Sequence, residues 1–330
     1  MDANLYVLPA AFGHSGPQAR ARKDYEVEET IERTVGVVIP THNRPELLEE
    51  AIQAVLAQDY AGPIEIVVVY DGAPVDHAIA RGGARPVRVI ENSRTPGLSG
   101  ARNSGILELR TDLVAFCDDD DYWIPEKLRL QVDAFDDGYS MASCAIGVEF
   151  GNKLTVRTAG MSSVSRADLL RSRMSMLHSS TFLFRRSDLT GELGLVAEDA
   201  PGSQNEDWDI LLRAAALAPI RHIDEPNTRV RWGPASFFSR RWDSRNDSLR
   251  WMLARHPDIQ ADRVGYSRVL GQLAFGSASL GRRKDAWRDA VRALRINPAQ
   301  WRAIVAAGVA VVPRSSEPIL RLLNRFGRGV

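Results

Sequence analysis

Apolar residues in the first third of the chain form short continuous runs, separated by segments where they recur every three or four positions. The runs are rich in valine and isoleucine and predict buried strands at 35–39, 64–70, 87–90 and 113–117. Leucine and alanine at helical spacing predict a helix over 47–56, and another is expected at about 99–110. Strands that alternate with helices predict an α/β fold with a mostly parallel sheet between helices.

The first helix carries a start signal in its sequence. Asn43 precedes the helix and Glu46 lies three residues further on, a pair typical of a capping box. In the second half, strands are predicted at 142–150, 154–157 and 181–184, and an amphipathic helix begins at about 204.

Three regions follow from the pattern and the charge: a leader of weak order over 1–34, an α/β domain over 35–237 and a basic, all-helical C-terminal region over 238–330. The last region holds 18 Lys and Arg against 7 Asp and Glu, about +11, so the remainder of the neutral chain carries about −11. A strongly basic region suggests an anionic partner. Small residues and leucines over 270–298 resemble one tetratricopeptide-like hairpin, which cannot form a solenoid alone and is expected to dock on the α/β domain.

Cysteine usage and hydropathy favour a cytoplasmic protein. Cys117 and Cys144 lie in apolar runs, which indicates buried thiols in a reducing compartment rather than a disulfide framework. The run 5–12 is too short for a signal peptide, and 303–312 is too short to cross a bilayer. Apolar residues mixed with arginines from Trp301 onward suggest peripheral contact with anionic lipid at the inner face of the plasma membrane; packing on the same domain or a dimer contact are the alternatives.

Four consecutive aspartates, 118–121, end the fourth predicted strand. Adjacent carboxylates at a strand end are unfavourable unless positive charge neutralises them, and a divalent cation held by oxygen ligands is the usual solution. A solvated acidic turn is the alternative. Polar residues also end the first two strands, at 41–43 and Asp71, and ligands of parallel sheets bind where strand carboxyl ends meet.

Five motifs, in order over about residues 35–235, resemble the family 2 glycosyltransferases of the GT-A fold. They are Val-Val-Ile-Pro-Thr-His-Asn-Arg (37–44), Val-Val-Val-Tyr-Asp-Gly (67–72), Gly-Leu-Ser-Gly-Ala-Arg-Asn-Ser-Gly-Ile (97–106), Phe-Cys-Asp-Asp-Asp-Asp-Tyr-Trp-Ile-Pro-Glu-Lys-Leu (116–128) and Asn-Glu-Asp-Trp-Asp-Ile-Leu-Leu-Arg (205–213). The resemblance implies a GT-A nucleotide-diphospho-sugar transferase fold over 35–237. It also implies metal-dependent transfer of a sugar from a nucleotide diphosphate-sugar to an acceptor hydroxyl, with inversion, in cell-surface polysaccharide, glycolipid or secondary-metabolite glycosylation.

The same resemblance assigns the aspartates. Asp118 and Asp120 match the family's Asp-x-Asp motif, which makes Asp120 the ligand of Mn²⁺ or Mg²⁺ and Asp118 a contact of the ribose. Because four aspartates stand in a row, the register can shift by one, so Asp119 and Asp121 remain alternatives. Asp119 is counted with the nucleotide-binding residues. A cap of the following helix is the alternative role of Asp121.

Seven residues match the family's nucleotide-binding positions: Pro40, Thr41, His42, Asn43, Asp71, Arg102 and Asn103. Asp71 matches the acceptor of the uracil N3–H, which favours a UDP-sugar, and the guanidinium of Arg102 suits a diphosphate. His42 could stack on the base. Their alternatives are an Asp-Gly turn, a surface ion pair and an exposed loop histidine. Tyr70 departs from the family, where an acidic residue is frequent, and this leaves Asp71 as the stronger base contact.

Asp207 matches the catalytic base, which takes the acceptor proton as its oxygen attacks the anomeric carbon, and Glu206 assists it. The alternative is that both only favour a helix N-terminus. His178 and Trp208 are assigned to the acceptor side, with a structural role as the alternative for His178. Two more tryptophans, at 232 and 242, could stack on sugar, but core packing is preferred.

The expected partners are a nucleotide-sugar donor and an acceptor that is a glycan, lipid-linked or a small molecule; a homodimer is also considered, and no nucleic acid is expected. A catalytically silent nucleotide-sugar-binding or scaffold protein is the alternative function. A nucleotidyltransferase would need a glycine-rich, basic phosphate loop after the first strand, which residues 40–46 do not provide.

Overall fold

The computed structural model describes residues 32–151, 153–232 and 242–312, together with 316, 318 and 319. The predicted leader, apart from residues 32–34, lies outside the described residues, as do Arg314, Arg321, Arg325 and Arg328 of the predicted membrane-contacting segment. The predicted division at 237/238 falls in the undescribed segment 233–241 and stays a prediction.

The strands of the described residues form one sheet. They are β1 (Val35–Thr41), β2 (Ile64–Tyr70), β3 (Val87–Glu91), β4 (Leu113–Phe116), β5 (Tyr122–Trp123), β6 (Met141–Phe150), β7 (Lys153–Arg157), β8 (Ser163–Val164), β9 (Leu183–Arg185) and β10 (Ile220–Arg231). The order is β3-β2-β1-β4-β9-β6-β10-β5, with β7 beside β6 and β8 beside β10.

Helices cover the sheet and follow it in sequence. They are α1 (Pro45–Leu56), α2 (Leu98–Glu108), α3 (Lys127–Ala134), α4 (Arg166–Arg171), α5 (Arg186–Leu189), α6 (Glu206–Leu217), α7 (Trp242–Arg255), α8 (Arg263–Ser279), α9 (Arg283–Ile296) and α10 (Trp301–Val311). Short 3₁₀ turns lie at His77–Ile79, Ser179–Thr181, Pro201–Ser203 and Pro257–Gln260.

The parallel half of the sheet is the half that the apolar runs predict. β3, β2, β1 and β4 are parallel neighbours, with Val35 in register with both Ile64 and Leu113. β1 and β4 are buried along their whole length, because helices cover both faces. β9 then pairs antiparallel with both β4 and β6, so the sheet is parallel in one half and mixed in the other.

The longest strand, β10, is absent from the sequence prediction. Its residues include Pro226 and several polar side chains, and its register with β6 shifts on both sides of that proline. A proline cannot donate to the ladder, so the strand continues only through an irregularity. The sequence pattern therefore resembles a loop although the chain is paired.

Two predicted caps are wrong. Asn43 has φ 53° and precedes Arg44, the residue before α1, and no side chain caps this helix. Pro45 is the first residue of α1, and its ring fixes φ at a value that suits a helix. Asp121 is not the cap of α3 either, because that helix begins at Lys127 and Asp121 lies before β5.

The C-terminal helices pack on the α/β layers. A Cβ on Gly265 would lie 1.9 Å from the Leu170 carbonyl oxygen, so the first turn of α8 touches the end of α4 directly. α8 and α9 contain the residues that resemble a tetratricopeptide hairpin, pack against each other and contact α10. None of the helices in the described part of the chain is both long and apolar enough to span a bilayer.

Candidate active site

The end of β1 and the end of β4 lie side by side and bring polar residues together. The Thr41 hydroxyl donates to Asp119 at 2.8 Å, and Arg44 contacts Asp119 at 3.0 Å and Asp120 at 2.5 Å. Burial raises the pKa of Asp119 to about 6, against the opposing charge of Arg44. Asp120 is 36% exposed and faces Arg44. The positive charge of Arg44 thus lies against two of the four aspartates, Asp119 and Asp120.

Arg102 connects this edge to the start of α6. Its guanidinium donates to Asp118 at 2.7 Å and to Glu206 at 2.8 Å, and the residue is 1% exposed. Gly105, one turn further along α2, allows this approach, because a Cβ there would lie 2.4 Å from Val38 of β1. Burial acts to lower the pKa of Arg102, but the charges of Asp118 and Glu206 outweigh it and raise that pKa.

Glu206 and Asp207 occupy the first turn of α6, and their surroundings separate their charge states. Burial and the neighbouring Asp207 raise the pKa of Glu206. Burial also acts to raise the pKa of Asp207, but an ion pair with Arg173 outweighs it and lowers that pKa. Asp207 is therefore the better candidate for a carboxylate that accepts a proton, whereas Glu206 is ion-paired with Arg102.

A second group of side chains lies on the other side of Asp118. One ligand atom each of Asp118, Asp121 and His178 lies within 4.8 Å of the others. Asp121 accepts from the Ser180 hydroxyl at 2.5 Å and lies 3.3 Å from His178 Nδ1. Burial, then the charges of Asp118 and Asp120, raise the pKa of Asp121 well above its usual range.

This group fits a divalent cation. Its negative charge is buried and in excess, which a cation would relieve, and its donors are two carboxylates and an imidazole. Carboxylate oxygens suit both Mg²⁺ and Mn²⁺. The sequence prediction chose Asp120 as the ligand; Asp120 lies outside this group, so its metal role stays a prediction.

Asp71 lies at the end of β2 and fixes the start of α2. Its two carboxylate oxygens accept from Asn92 at 2.7 Å and from the Gly97 amide at 2.9 Å, and His42 Nδ1 lies 2.6 Å from its carbonyl oxygen. Each carboxylate oxygen can accept a second hydrogen bond, so Asp71 keeps the capacity to bind a base.

Two predicted site residues bond to other parts of the protein. The Asn103 amide is bonded to Val196 N and O and to Glu198 at 2.7–3.0 Å, which holds segment 196–198. Trp208 is 3% exposed and donates to the Leu169 carbonyl at 3.0 Å, so its ring belongs to the core. The assignments of Asn103 to the nucleotide and of Trp208 to the acceptor side stay predictions.

The two tryptophans considered for sugar stacking differ in their packing. Trp242 packs against Phe275, with ring centroids 5.4 Å apart. Trp232 is 38% exposed and lies under the guanidinium of Arg157.

Sequence reasoning missed two arginines that the fold brings to the site. Arg44 is the last residue of the first of the five motifs. Its position shortly after a strand end is the sequence signal that could have pointed to a role in the site. Arg173 lies in segment 172–178, between α4 and the 3₁₀ turn, where no periodic pattern marks it. Only the fold places it against Asp207.

Comparison with known proteins identifies the family. A model of "Glycosyl transferase family 2" matches residues 36–190. The uncharacterized glycosyltransferase YwdF of Bacillus subtilis is 30% identical over 193 residues, which cover 57% of this chain and 70% of YwdF. The chain belongs to glycosyl transferase family 2. It is therefore a glycosyltransferase of an inverting family, which confirms the class of enzyme that the five motifs indicated.

Another relative is similar to part of this chain, and two solved structures share its fold. A UDP-Glc:α-D-GlcNAc-diphosphoundecaprenol β-1,3-glucosyltransferase of Escherichia coli, WfgD, is 28% identical over 100 residues, 30% of this chain and 39% of WfgD. S. aureus TarS 1–349 in complex with UDP-GlcNAc aligns with a TM-score of 0.58 and 16% identity over 89% of this chain and 92% of that one. A Pyrobaculum calidifontis mannosyltransferase in complex with GDP-Man and Mn²⁺ aligns at 0.52 with 18% identity, over 86% and 88%. The predicted GT-A fold with C-terminal helices is confirmed.

Proposed function

We propose that this family 2 glycosyltransferase moves a sugar from a UDP-sugar to a hydroxyl of a lipid-linked or polysaccharide acceptor, with a divalent cation at the donor diphosphate. The observation that carries the proposal is Arg102, whose single guanidinium contacts both Asp118 and Glu206. Donor-side carboxylates and the candidate base next to Glu206 thus lie on two sides of one buried side chain. An inverting transfer requires this adjacency, because the base must reach the acceptor hydroxyl as it attacks the anomeric carbon.

Asp207 is the proposed base. Its carboxylate stays charged beside Arg173, and it sits at the amino end of α6, where the helix dipole also favours negative charge. Glu206, held by Arg102, orients that arginine toward Asp118. No covalent intermediate is required in an inverting displacement.

Asp118, Asp121 and His178 are the residues that would hold Mn²⁺ or Mg²⁺, with Asp120 as the alternative ligand. A bound cation would stabilise negative charge on the leaving diphosphate.

Asp71 supports uridine as the base of the donor, since a carboxylate accepts the ring N3–H. TarS, which has the same fold, forms a complex with UDP-GlcNAc, whereas the mannosyltransferase forms one with GDP-Man, so the fold alone does not select the base. Asp71 is the residue of this chain that argues for uridine.

A thermal-shift comparison of UDP, UDP-sugars and GDP-sugars, each with and without Mn²⁺, tests the donor. A ligand of the native state raises the melting temperature, so UDP-sugars with Mn²⁺ should give the largest rise. Equal rises in melting temperature with GDP-sugars would contradict uridine as the donor base. Rises that do not depend on Mn²⁺ would contradict the proposed metal site. Release of UDP from a UDP-sugar separates an enzyme from the silent nucleotide-sugar-binding alternative.

Peripheral contact with an anionic membrane, on the cytoplasmic side, belongs to the same proposal. Trp287 and Val291 of α9 are 45% and 39% exposed and lie with Arg288, Arg292 and Arg295 around one surface recess. An exposed tryptophan among arginines is typical of a helix that lies at a membrane interface. The substitution Trp287→Ser should weaken co-sedimentation with phosphatidylglycerol vesicles, whereas Leu107→Ser, at a 39% exposed position of α2 outside the C-terminal region, should not. Equal pelleting of both variants, or a dimer that Trp287→Ser dissociates, would favour a protein contact.

A further inference from the structure

The 3₁₀ turn Ser179–Thr181, here called the serine turn, bonds to the aspartates at the end of β4 through its side chains. The hydroxyl of its first serine donates to Asp118 at 2.9 Å. The hydroxyl of its second serine accepts from the Asp118 amide at 3.0 Å and donates to Asp121 at 2.5 Å. His178 directly precedes the turn and completes the metal group, which we define as Asp118, Asp121 and His178. The position of the serine turn therefore sets the spacing of the metal group.

The backbone of the serine turn is held from the protein core. The indole Nε1 of Trp123 donates to the Ser180 carbonyl at 2.8 Å. The side-chain amide of Gln131 donates to the Thr181 carbonyl at 2.7 Å. Both donor side chains are buried. Two buried N–H groups thus fix the backbone of the turn, while the side chains of the turn hold the carboxylates.

One buried lysine, Lys127, contacts both of these donors. Its Nζ donates to the Gln131 amide oxygen at 2.8 Å and lies 3.7 Å from the centroid of the Trp123 ring. Because an ammonium group can only donate, it turns the oxygen of the Gln131 amide toward itself and leaves the nitrogen for the Thr181 carbonyl. Its positive charge over the indole face also holds the Trp123 ring in place.

Stability alone does not explain a lysine at this position. Lys127 is completely buried, and burial lowers the pKa of Lys127 to about 8. Within the residues that the structure describes, its hydrogen-bond acceptor is the neutral amide of Gln131 and not a carboxylate. A buried ammonium without a carboxylate costs free energy, so its role is sought in the groups that it orients.

The lysine and its two contacts follow the aspartates directly in the chain. Trp123, Lys127 and Gln131 are spaced four residues apart. Lys127 and Gln131 are one turn apart on α3 and so share a face of that helix, whereas Trp123 lies on β5. The stretch 118–131 therefore supplies both carboxylates of the metal group and also the side chains that hold the serine turn. The proposed transfer reaction uses the aspartates and leaves the other three residues without a function.

We propose that Lys127 is a positioning residue for the metal group and acts through Gln131 and Trp123 on the serine turn. The lysine orients two N–H donors, the donors fix the backbone of the turn, and the turn holds two carboxylates and an imidazole close together. Groups that orient metal ligands in this way typically change metal affinity by roughly 10–100-fold. The inference rests on the proposed function, in which this group binds a divalent cation.

Titration of the full-length protein with Mn²⁺, alone and with UDP, followed by electron paramagnetic resonance, tests the proposal. Lys127→Met removes the ammonium. Gln131→Glu keeps the size of the side chain and can pair with Lys127, but its carboxylate no longer donates to the Thr181 carbonyl. Each variant should bind Mn²⁺ roughly 10–100-fold more weakly than wild type. Wild-type affinity in either folded variant overturns the proposal, and Gln131→Glu carries the test where Lys127→Met does not fold.

Tyr60→Phe is the matched control. It also removes one side-chain hydrogen bond at a buried residue, from the Tyr60 hydroxyl to the Arg33 carbonyl at 2.6 Å, before the start of β1 and away from the aspartates. It should lower the midpoint of urea unfolding but bind Mn²⁺ like wild type. A loss of Mn²⁺ affinity as large as that of Gln131→Glu would indicate general destabilisation and overturn the proposal.

Hydrogen exchange in EDTA measures the serine turn without metal. The Thr181 and Phe182 amides donate to the His178 and Ser179 carbonyls at 2.8 and 3.0 Å. They should exchange faster in Lys127→Met and Gln131→Glu than in wild type, and at the wild-type rate in Tyr60→Phe. Weaker Mn²⁺ binding with unchanged exchange would mean that the lysine does not act through the turn, and it would overturn the proposal.

The same titration separates this inference from the proposed function. Absence of Mn²⁺ binding by wild type, with and without UDP, would contradict the proposed metal site and this inference together. Equal binding by wild type and both variants would contradict this inference alone and leave the metal site intact.

Discussion

The two sides of the active site are built in opposite ways. The donor side consists of Thr41, Asp71 and residues 118–121, all at strand ends of the parallel half of the sheet. The proposed acceptor side consists of the first turn of α6 and segment 172–178, which come from separate parts of the chain. Asp207 of that turn is ion-paired with Arg173 of that segment, whereas four consecutive aspartates follow β4 on the proposed donor side.

The comparison shows how a transferase can hold opposite charges a short distance apart. Arg102 stands at the junction and balances Asp118 on one side and Glu206 on the other. On our proposals, the carboxylates of the donor side bind a cation, and Asp207 on the acceptor side takes the acceptor proton. The two sides thus act on different ligands, the donor and the acceptor, which makes them separable by mutation.

The largest effect is expected at the base. Asp207→Asn should lower the transfer rate by roughly 10²–10⁴-fold, because general-base catalysis contributes about that much, while the UDP-induced rise in melting temperature is kept. Steady-state transfer assays and thermal shift measure the two properties separately. Glu206→Gln is the matched variant and should lose less, since Glu206 contacts Arg102 and is not the proposed base. The reverse order of losses would exchange the roles of the two residues.

Arg102→Met removes the junction itself. The substitution leaves two carboxylates buried without their cation, which typically costs about 3–5 kcal/mol of the free energy of unfolding. Urea unfolding followed by circular dichroism measures the loss. Arg110→Met, at an exposed position just beyond α2, should change the midpoint little. An unchanged midpoint in Arg102→Met would mean that the junction does not bear on stability.

Asn103→Ala distinguishes a structural from a nucleotide-binding role within the donor side. Loss of the bonds to segment 196–198 leaves buried groups unsatisfied, so we expect stability to fall by about 1–3 kcal/mol with UDP affinity unchanged. Urea unfolding and calorimetric titration with UDP are the measurements. A selective loss of UDP affinity with normal stability would restore Asn103 to the nucleotide site.

The smallest effect at neutral pH concerns Asp209, which attaches α6 to α7. Burial acts to raise the pKa of Asp209, but hydrogen bonds and charge from His256, Arg213 and Arg255 outweigh it and lower that pKa to about 2. A lowered pKa means that the stabilisation is complete above about pH 4 and is lost as the pH falls through about 2, roughly 2 kcal/mol in total. Unfolding midpoints of wild type should therefore fall more steeply over this range than those of Asp209→Asn. Asp247→Asn, exposed on α7, should follow wild type, and parallel curves for all three proteins would contradict the assignment.

The success of sequence reasoning differed between the two sides for a physical reason. Strands β1, β2 and β4 are continuous apolar runs, and polar residues directly after them must lie at the carboxyl edge, so Thr41 and Asp118 could be placed without coordinates. β10 could not be predicted, because Pro226 and its polar neighbours hide a strand that pairs through irregularities. Asn43 was predicted to cap α1, and a helix cap was the alternative role of Asp121. Neither cap is present, because the same polar residue suits several local roles.

The sequence by itself determined the family, the α/β order of elements and the carboxylates that lie at the strand ends, because these depend on contiguous residues and local periodicity. Only the tertiary structure decided which carboxylates meet an arginine, that the Trp208 ring is buried, that Asn103 bonds to segment 196–198, and that Arg173 pairs with Asp207. Such contacts join residues far apart in the chain, and no local pattern records the distance between two side chains that folding brings together.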